Sequence, residues 1–246
     1  MSTTVEKALK VLELMSAHGA PMRLADLSRE LGMNKSTTYR LLEKMGQLGY
    51  VRQGDDSRYM LTTRMWAIGV RAFRNFDLRA WAEKHLDELS RETGETAVLA
   101  MADGAEVVII DKRESAQTVK TMSPLGSRSP VHVSSLGKAL LMVEAERVLP
   151  GIKRLSRHTE RTITTLPALK AEIARAREAG VAEAFDEFTD GVSGVSAPVQ
   201  GVDGGLLGMI GVSLPSMRCT PEHLALIRAA VKSHAERLSR VLAGVG

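Results

Sequence analysis

A chain of 246 residues that is 44% apolar and 25% charged is composed like an ordinary globular protein, long enough for one large core or two modest ones. Its only cysteine, Cys219, excludes an intrachain disulfide and a thiolate-rich metal site; no apolar run is long enough to span a membrane, and the start lacks a signal peptide's apolar stretch, so the cytoplasm is expected. The net charge of +4 is uneven: residues 1–76 hold 12 Lys and Arg against 7 Asp and Glu, the rest 21 against 22, which suggests a polyanion-binding module joined to a neutral one.

Val5, Ala8, Leu9, Leu12 and Met15 recur at helical spacing before Gly19 and Pro21 stop the run. Leu24, Leu27 and Leu31 mark a short second helix ended by Gly32, and Asn34 can cap a third that turns Thr38, Leu41, Leu42, Met45 and Leu48 inward. Two helices joined by so short a turn form a helix-turn-helix, whose third helix presents Lys35, Ser36, Thr37, Tyr39, Arg40 and Lys44. These hydroxyls and cations suit base edges and phosphates. Strands at 50–52 and 58–61 around Gly54-Asp55-Asp56-Ser57 read as a wing, with Arg52 and Arg58 placed for the sugar-phosphate backbone. A small helical bundle with a basic face is the plainer alternative, but three helices, a tight turn and a hairpin in this order favour DNA binding.

From 63 to 75, Met65, Trp66, Ile68, Val70, Ala72 and Phe73 surround most of a helix, more apolar girth than one small domain covers, so this helix is expected between subunits or domains. A helix at 78–91 with Trp81, Leu86 and Leu89 inward follows, then strands at 96–102 and 106–111 joined at Asp103-Gly104, a strand at 119–122, a helix from about Ser135, a helix at 165–179, strands near 195–200 and 207–214, and a closing helix. Antiparallel hairpins flanked by helices define an α+β fold.

Leu24-Ala-Asp-Leu-Ser-Arg-Glu-Leu-Gly, Lys35-Ser-Thr-Thr-Tyr-Arg-Leu-Leu, Gly49-Tyr-Val, Thr93-Gly-Glu-Thr, Pro130-Val-His-Val-Ser-Ser-Leu-Gly-Lys-Ala-Leu-Leu, Glu187 with Gly191, and Ala197-Pro-Val together resemble the IclR family of bacterial regulators over essentially the whole chain. The resemblance implies a winged helix-turn-helix (1–62), a linker and dimerisation helix (63–76) and a GAF-like effector-binding domain with an antiparallel sheet (77–246). It implies a homodimer, with dimer versus tetramer left open, that binds double-stranded operator DNA as a repressor in the first instance. It also places the effector beside Ser134, Ser135, Leu136, Gly137, Asp186, Val192, Gly194 and Ser213. Free amides at the helix start after Ser135 would hold a small carboxylate-like effector, although Ser134 or Ser135 could equally be only a helix cap. Two departures stand out: Ala184 and Phe185 where relatives often carry an acid, and Gly194 where many carry a cysteine. They suit a larger or more apolar effector, with Phe185 near the pocket or in the core.

The spacing Ser135-Leu-Gly-Lys138 matches the Ser-x-x-Lys of penicillin-recognising hydrolases, but the companion motifs are missing and no enzyme is expected. The six histidines include no pair at ligand spacing with a carboxylate partner, so neither metal nor cofactor is expected. An interaction protein that keeps the helix-turn-helix only for assembly is disfavoured by the basic recognition surface.

Overall fold

The structure, a computed structural model, describes residues 4–72 (backbone only at 70–72) and 78–244, and divides into two units, Met1–Phe76 and Asp77–Gly246. In the first unit, α1 (Thr4–His18), α2 (Leu24–Glu30) and α3 (Lys35–Gln47) pack around Val11, Met15, Leu27, Leu41, Leu42 and Met45. Of the stripe expected on α1, Ala8, Leu12 and Met15 face the core, whereas Val5 and Leu9 are exposed and Val11 is fully buried in their place; Leu48, also expected inside, is exposed.

Gly32, at φ +62°, turns the chain from α2 into α3 in a backbone conformation that costs a β-carbon-bearing residue energy. The Asn34 side chain accepts from the Thr37 N–H at 2.8 Å, and the buried Thr38 hydroxyl donates to the Asn34 carbonyl at 3.1 Å, so cap and first turn lock each other. The hairpin of β2 (Val51–Gln53) and β3 (Arg58–Leu61) is joined by a strand absent from the sequence reading, β1 (Met22–Arg23), which pairs with β3. The helix α4 (Thr63–Ala72) follows; Phe73 and the rest of the expected linker, 73–76, lie outside the described residues.

The second unit holds one antiparallel six-stranded sheet. Its strands are β4 (Thr96–Asp103), β5 (Glu106–Arg113), β6 (Arg128–Pro130), β7 (Ala182–Phe185), β8 (Val192–Gln200) and β9 (Leu206–Pro215), in the order β6-β5-β4-β9-β8-β7. One face is covered by α5 (Leu78–Thr93) and α8 (Pro221–Leu242), the other by α6 (Ser135–Val148) and α7 (Leu166–Ala179). Both faces are therefore buried, which is why β4 reads as a continuous apolar run. Ala97 and Leu99 meet the α5/α8 core while Val98 and Ala100 meet the α6 core. Each fully buried leucine or isoleucine in these layers contributes about 1.5–3 kcal/mol relative to an exposed one.

Two further expectations fail here. Residues 119–122 form no strand, and the edge of β5 is taken by β6 instead. Trp81 is exposed, because Ala82, Leu86 and Leu89 set the inward phase of α5 and Trp81 falls one position off it.

Candidate functional site

On the first unit, Lys35, Ser36, Tyr39, Arg40 and Lys44 stand exposed along one side of α3, and Thr37 is half-buried. Their direction follows from the inward stripe Thr38, Leu41, Leu42 and Met45. The Ser36 hydroxyl is occupied by Asn34 at 2.9 Å, and among the described residues Lys44 reaches only the neutral Gln47 at 3.2 Å, which leaves its charge without an acidic partner there. Arg52 is exposed on β2; Arg58 on β3 pairs with Asp56 of its own turn at 3.3 Å. A cationic helix face with a basic hairpin close by in the same unit is an electrostatic footprint for phosphates.

On the second unit a cavity of about 350 Å³ opens between the start of α6 and the β7-β8-β9 end of the sheet. Six of the eight sequence candidates line it: Ser134, Ser135, Leu136, Val192, Gly194 and Ser213. Ser134 is the N-cap of α6, its hydroxyl accepting from Gly137 N–H at 3.2 Å, while the Ser135 and Ser196 hydroxyls bond to each other at 2.8 Å. An α-helix leaves its first N–H groups without intrahelical acceptors, and only that of Gly137 is taken by the cap. Apolar walls come from Val98, Ile109, Leu136, Val192, Val212 and Phe188, whose ring meets His158 edge-on at 5.1 Å.

The other two candidates do not reach the cavity. Gly137 lies against the backbone of Val131, and a β-carbon there would sit 2.6 Å from the Val131 carbonyl carbon and closer still to its Cα and oxygen. Asp186, at φ +57°, ties the 186–191 turn together by accepting from Gly191 N–H at 2.8 Å and from the Ser216 hydroxyl at 2.6 Å. Phe185 is not in the lining either; Ala184 is, because neighbours on β7 face opposite ways. Sequence reasoning missed Arg128 and named Glu187 only as part of a family motif, with no place in the site. Arg128 lies in the lining, balanced by Asp103 at 2.5 Å and Glu106 at 3.1 Å.

Glu187 also explains Lys138. The lysine is fully buried, its ammonium 2.6 Å from Glu187 Oε1, 2.9 Å from the Glu183 carbonyl and 3.7 Å from Glu172. Such a lysine holds the sheet edge to α6 and is not free to activate Ser135. Burial raises the Glu187 pKa above the ordinary carboxylate value despite the opposing pull of Lys138, and its Oε2 has no hydrogen-bond partner among the described residues.

A cationic recognition helix in one unit and a mixed apolar and polar cavity in the other define a ligand-responsive transcription regulator. The chain belongs to the IclR family: the IclR helix-turn-helix domain matches residues 4–55, and the bacterial transcriptional regulator IclR C-terminal domain matches 70–240. Members of this family are regulators of transcription and not enzymes. The chain is 34% identical to the HTH-type transcriptional regulator KdgR of Escherichia coli K12, over 96% of this chain and 92% of that protein. It is 29% identical to the transcriptional repressor AllR of Klebsiella pneumoniae, over 97% and 89%. Among solved structures, the IclR of Thermotoga maritima superposes with a TM-score of 0.81 at 28% identity, covering 98% of both chains. An IclR homologue of Microbacterium hydrocarbonoxydans complexed with 4-hydroxybenzoate shares the fold, at a TM-score of 0.82 and 24% identity over 97% and 100%. The protein is thus a DNA-binding regulator with a small-molecule effector, and among the described residues no helix is long and apolar enough to cross a membrane.

Proposed function

We propose that the protein is a cytoplasmic repressor that binds its operator as a homodimer through α3 and the wing, and that a carboxylate-bearing effector in the second-unit cavity changes its affinity for that operator. The cavity carries this reading: apolar walls lead to the N-terminus of α6, where amides, the Ser135 hydroxyl and the helix dipole favour an anion. Ser213, on the facing strand, has a hydroxyl with no protein partner among the described residues. In this reading Ser134, Ser135, Leu136, Val192, Gly194 and Ser213 touch the effector, whereas Gly137 and Asp186 shape the loops around it. Pairing is supported by Met65, Trp66 and Ile68 of α4, exposed in the single chain, and two α3 helices would then read symmetric half-sites about 34 Å apart.

The test measures operator affinity with a set of small carboxylic acids beginning with 4-hydroxybenzoate, each against its neutral carboxamide. At least one acid should shift affinity by about 5–150-fold with its carboxamide inert, and Ser135→Leu should abolish the shift while leaving operator binding intact. A carboxamide as effective as its acid, or an unchanged response in Ser135→Leu, refutes the reading.

A further inference from the structure

The fold brings together His85 of α5 and His234 of α8, which are 149 residues apart. Both side chains are buried, their Nδ1 atoms face each other at 3.1 Å, and the rings meet edge-on with centroids 5.3 Å apart. Glu88, one turn further along α5, completes a group in which one carboxylate oxygen and one ring nitrogen from each histidine all lie within 4.8 Å of one another. We infer that His85, Glu88 and His234 form a binding site for a divalent transition metal of the zinc class.

Two imidazole nitrogens and a carboxylate oxygen are the donors such a cation prefers, and three protein ligands leave a fourth tetrahedral position to water or another small ligand. The 3.1 Å between nitrogens is close to the ~3.3 Å that two nitrogens on one tetrahedral zinc adopt at Zn–N distances of about 2.0–2.1 Å. Outside this group, Glu92 Oε2 lies 3.3 Å from His234 Nε2. A carboxylate there holds the proton on Nε2 and presents Nδ1 as a lone pair, the arrangement that orients metal-ligating histidines.

The same bond fixes what happens without metal. His85 must donate from Nδ1 to His234, and metal binding asks only that the His85 proton move to Nε2, with no net proton release. Burial and the neighbouring His234 lower the His85 pKa, which keeps the ring neutral as a ligand must be. Glu88 is held by Arg237 at 3.4 Å and Lys84 at 3.8 Å, long contacts that a metal–oxygen bond of about 2.0–2.2 Å would supersede. Entry is open, since His85 also lines a surface hollow beside Trp81, Lys84 and Arg237.

The test uses full-length protein without a histidine tag, stripped with chelator and titrated with Zn²⁺ against a chromophoric competitor, then with Co²⁺ while the visible spectrum is read. One equivalent of zinc per chain and intense tetrahedral Co²⁺ bands are expected. Glu92→Gln should weaken binding by about 10–100-fold, because it removes only the orienting partner. His234→Gln should abolish stoichiometric uptake. If that buried substitution unfolds the chain by circular dichroism, Glu88→Gln on the half-buried side of the site must weaken binding instead. Wild-type protein that takes up no stoichiometric zinc overturns the proposal. So do folded Glu88→Gln and Glu92→Gln variants that both bind zinc as tightly as wild type, since the metal would then sit elsewhere.

Discussion

Replacing Gly137 with alanine sets two effects against each other. Gly137 is the third residue of α6, and in an open helix alanine is better than glycine by about 0.8–1.0 kcal/mol. Here the new methyl would lie 2.6 Å from the Val131 carbonyl carbon, about 1 Å inside the 3.5–4.0 Å at which carbon atoms attract, and closer still to two more atoms of the same peptide. Every obstructing atom is backbone of a fully buried residue, so no side chain can rotate away. Overpacking costs about 1–3 kcal/mol, and a backbone obstacle belongs at the top of that range, leaving a net loss of about 2 kcal/mol after the propensity gain. At about 2–4 °C per kcal/mol for a unit of this size, the second unit should melt about 4–8 °C lower. Effector binding should fall too, because Ser134 and Ser135 move with the strained turn. Gly46→Ala in α3 is the contrast: its methyl meets nothing nearer than the Val51 carbonyl oxygen at 3.7 Å, so the same substitution should stabilise there. Urea and thermal unfolding of the full-length variants decide the matter. A Gly137→Ala protein as stable as wild type, or more so, refutes the close-packing account of this glycine.

Lys138→Met removes the cation that lies 2.6 Å from the buried Glu187 carboxylate and should cost about 3–5 kcal/mol; Lys138→Met with Glu187→Gln should recover much of it, and a double variant no more stable than the single would show that the loss is not electrostatic. Burial lowers the pKa of both His85 and His132, with His234 adding to the effect at the first and the Ser156 carbonyl opposing it at the second. The unfolded chain then binds more protons than the folded one below the ordinary value of 6.5, so this stability is fully present above 6.5 and is lost as pH falls through it. A urea midpoint that fails to drop between pH 7.5 and 5.5 would contradict this. Ile68→Asp or Trp66→Asp should yield monomers and weak operator binding in sedimentation and anisotropy experiments, and a fully dimeric variant would move the proposed interface off α4. Arg40→Ala should weaken operator binding by about 1–3 kcal/mol, while Lys44→Ala should weaken binding to all DNA sequences alike; unchanged operator affinity in both would remove α3 from the DNA interface.

The first unit was legible because its determinants are local. The Asn34 cap, the Gly32 turn and the 38/41/42/45 stripe each act within a few residues, and together they orient α3. What escaped depends on distant partners. The two residues of β1 carry no periodicity of their own and form a strand only because Tyr59 and Arg58 offer an edge. The β-prone run at 119–122 lost the β5 edge to residues 128–130, a choice that local propensity cannot express. Trp81 was misplaced by a single position, enough to put a side chain off a helical stripe, and Phe185, left open between pocket and core, falls on the face of β7 opposite the lining residue Ala184. Lys138 with Glu187, and His85 with His234, lie 49 and 149 residues apart, so only the fold shows them to be neighbours.

The same dependence on pairing gives Ala184 and Gly194 a common meaning. Ala184 and Gly194 are direct partners across β7 and β8, and both line the cavity. The two small residues thus share a single spot on the cavity floor, where this chain presents only a methyl group and a hydrogen. Gly194 cannot simply be enlarged: a β-carbon on it would lie 2.6 Å from Ser135 Oγ and 3.2 Å from the Val212 carbonyl oxygen. The Ser135 hydroxyl therefore occupies the space a larger residue would take, and its bond to Ser196 depends on that vacancy. The glycine at 194 and the placement of the serine are one packing solution. It turns the floor apolar while keeping hydroxyls at the α6 end, which fits an effector with a polar head and an apolar body better than a very small polar one.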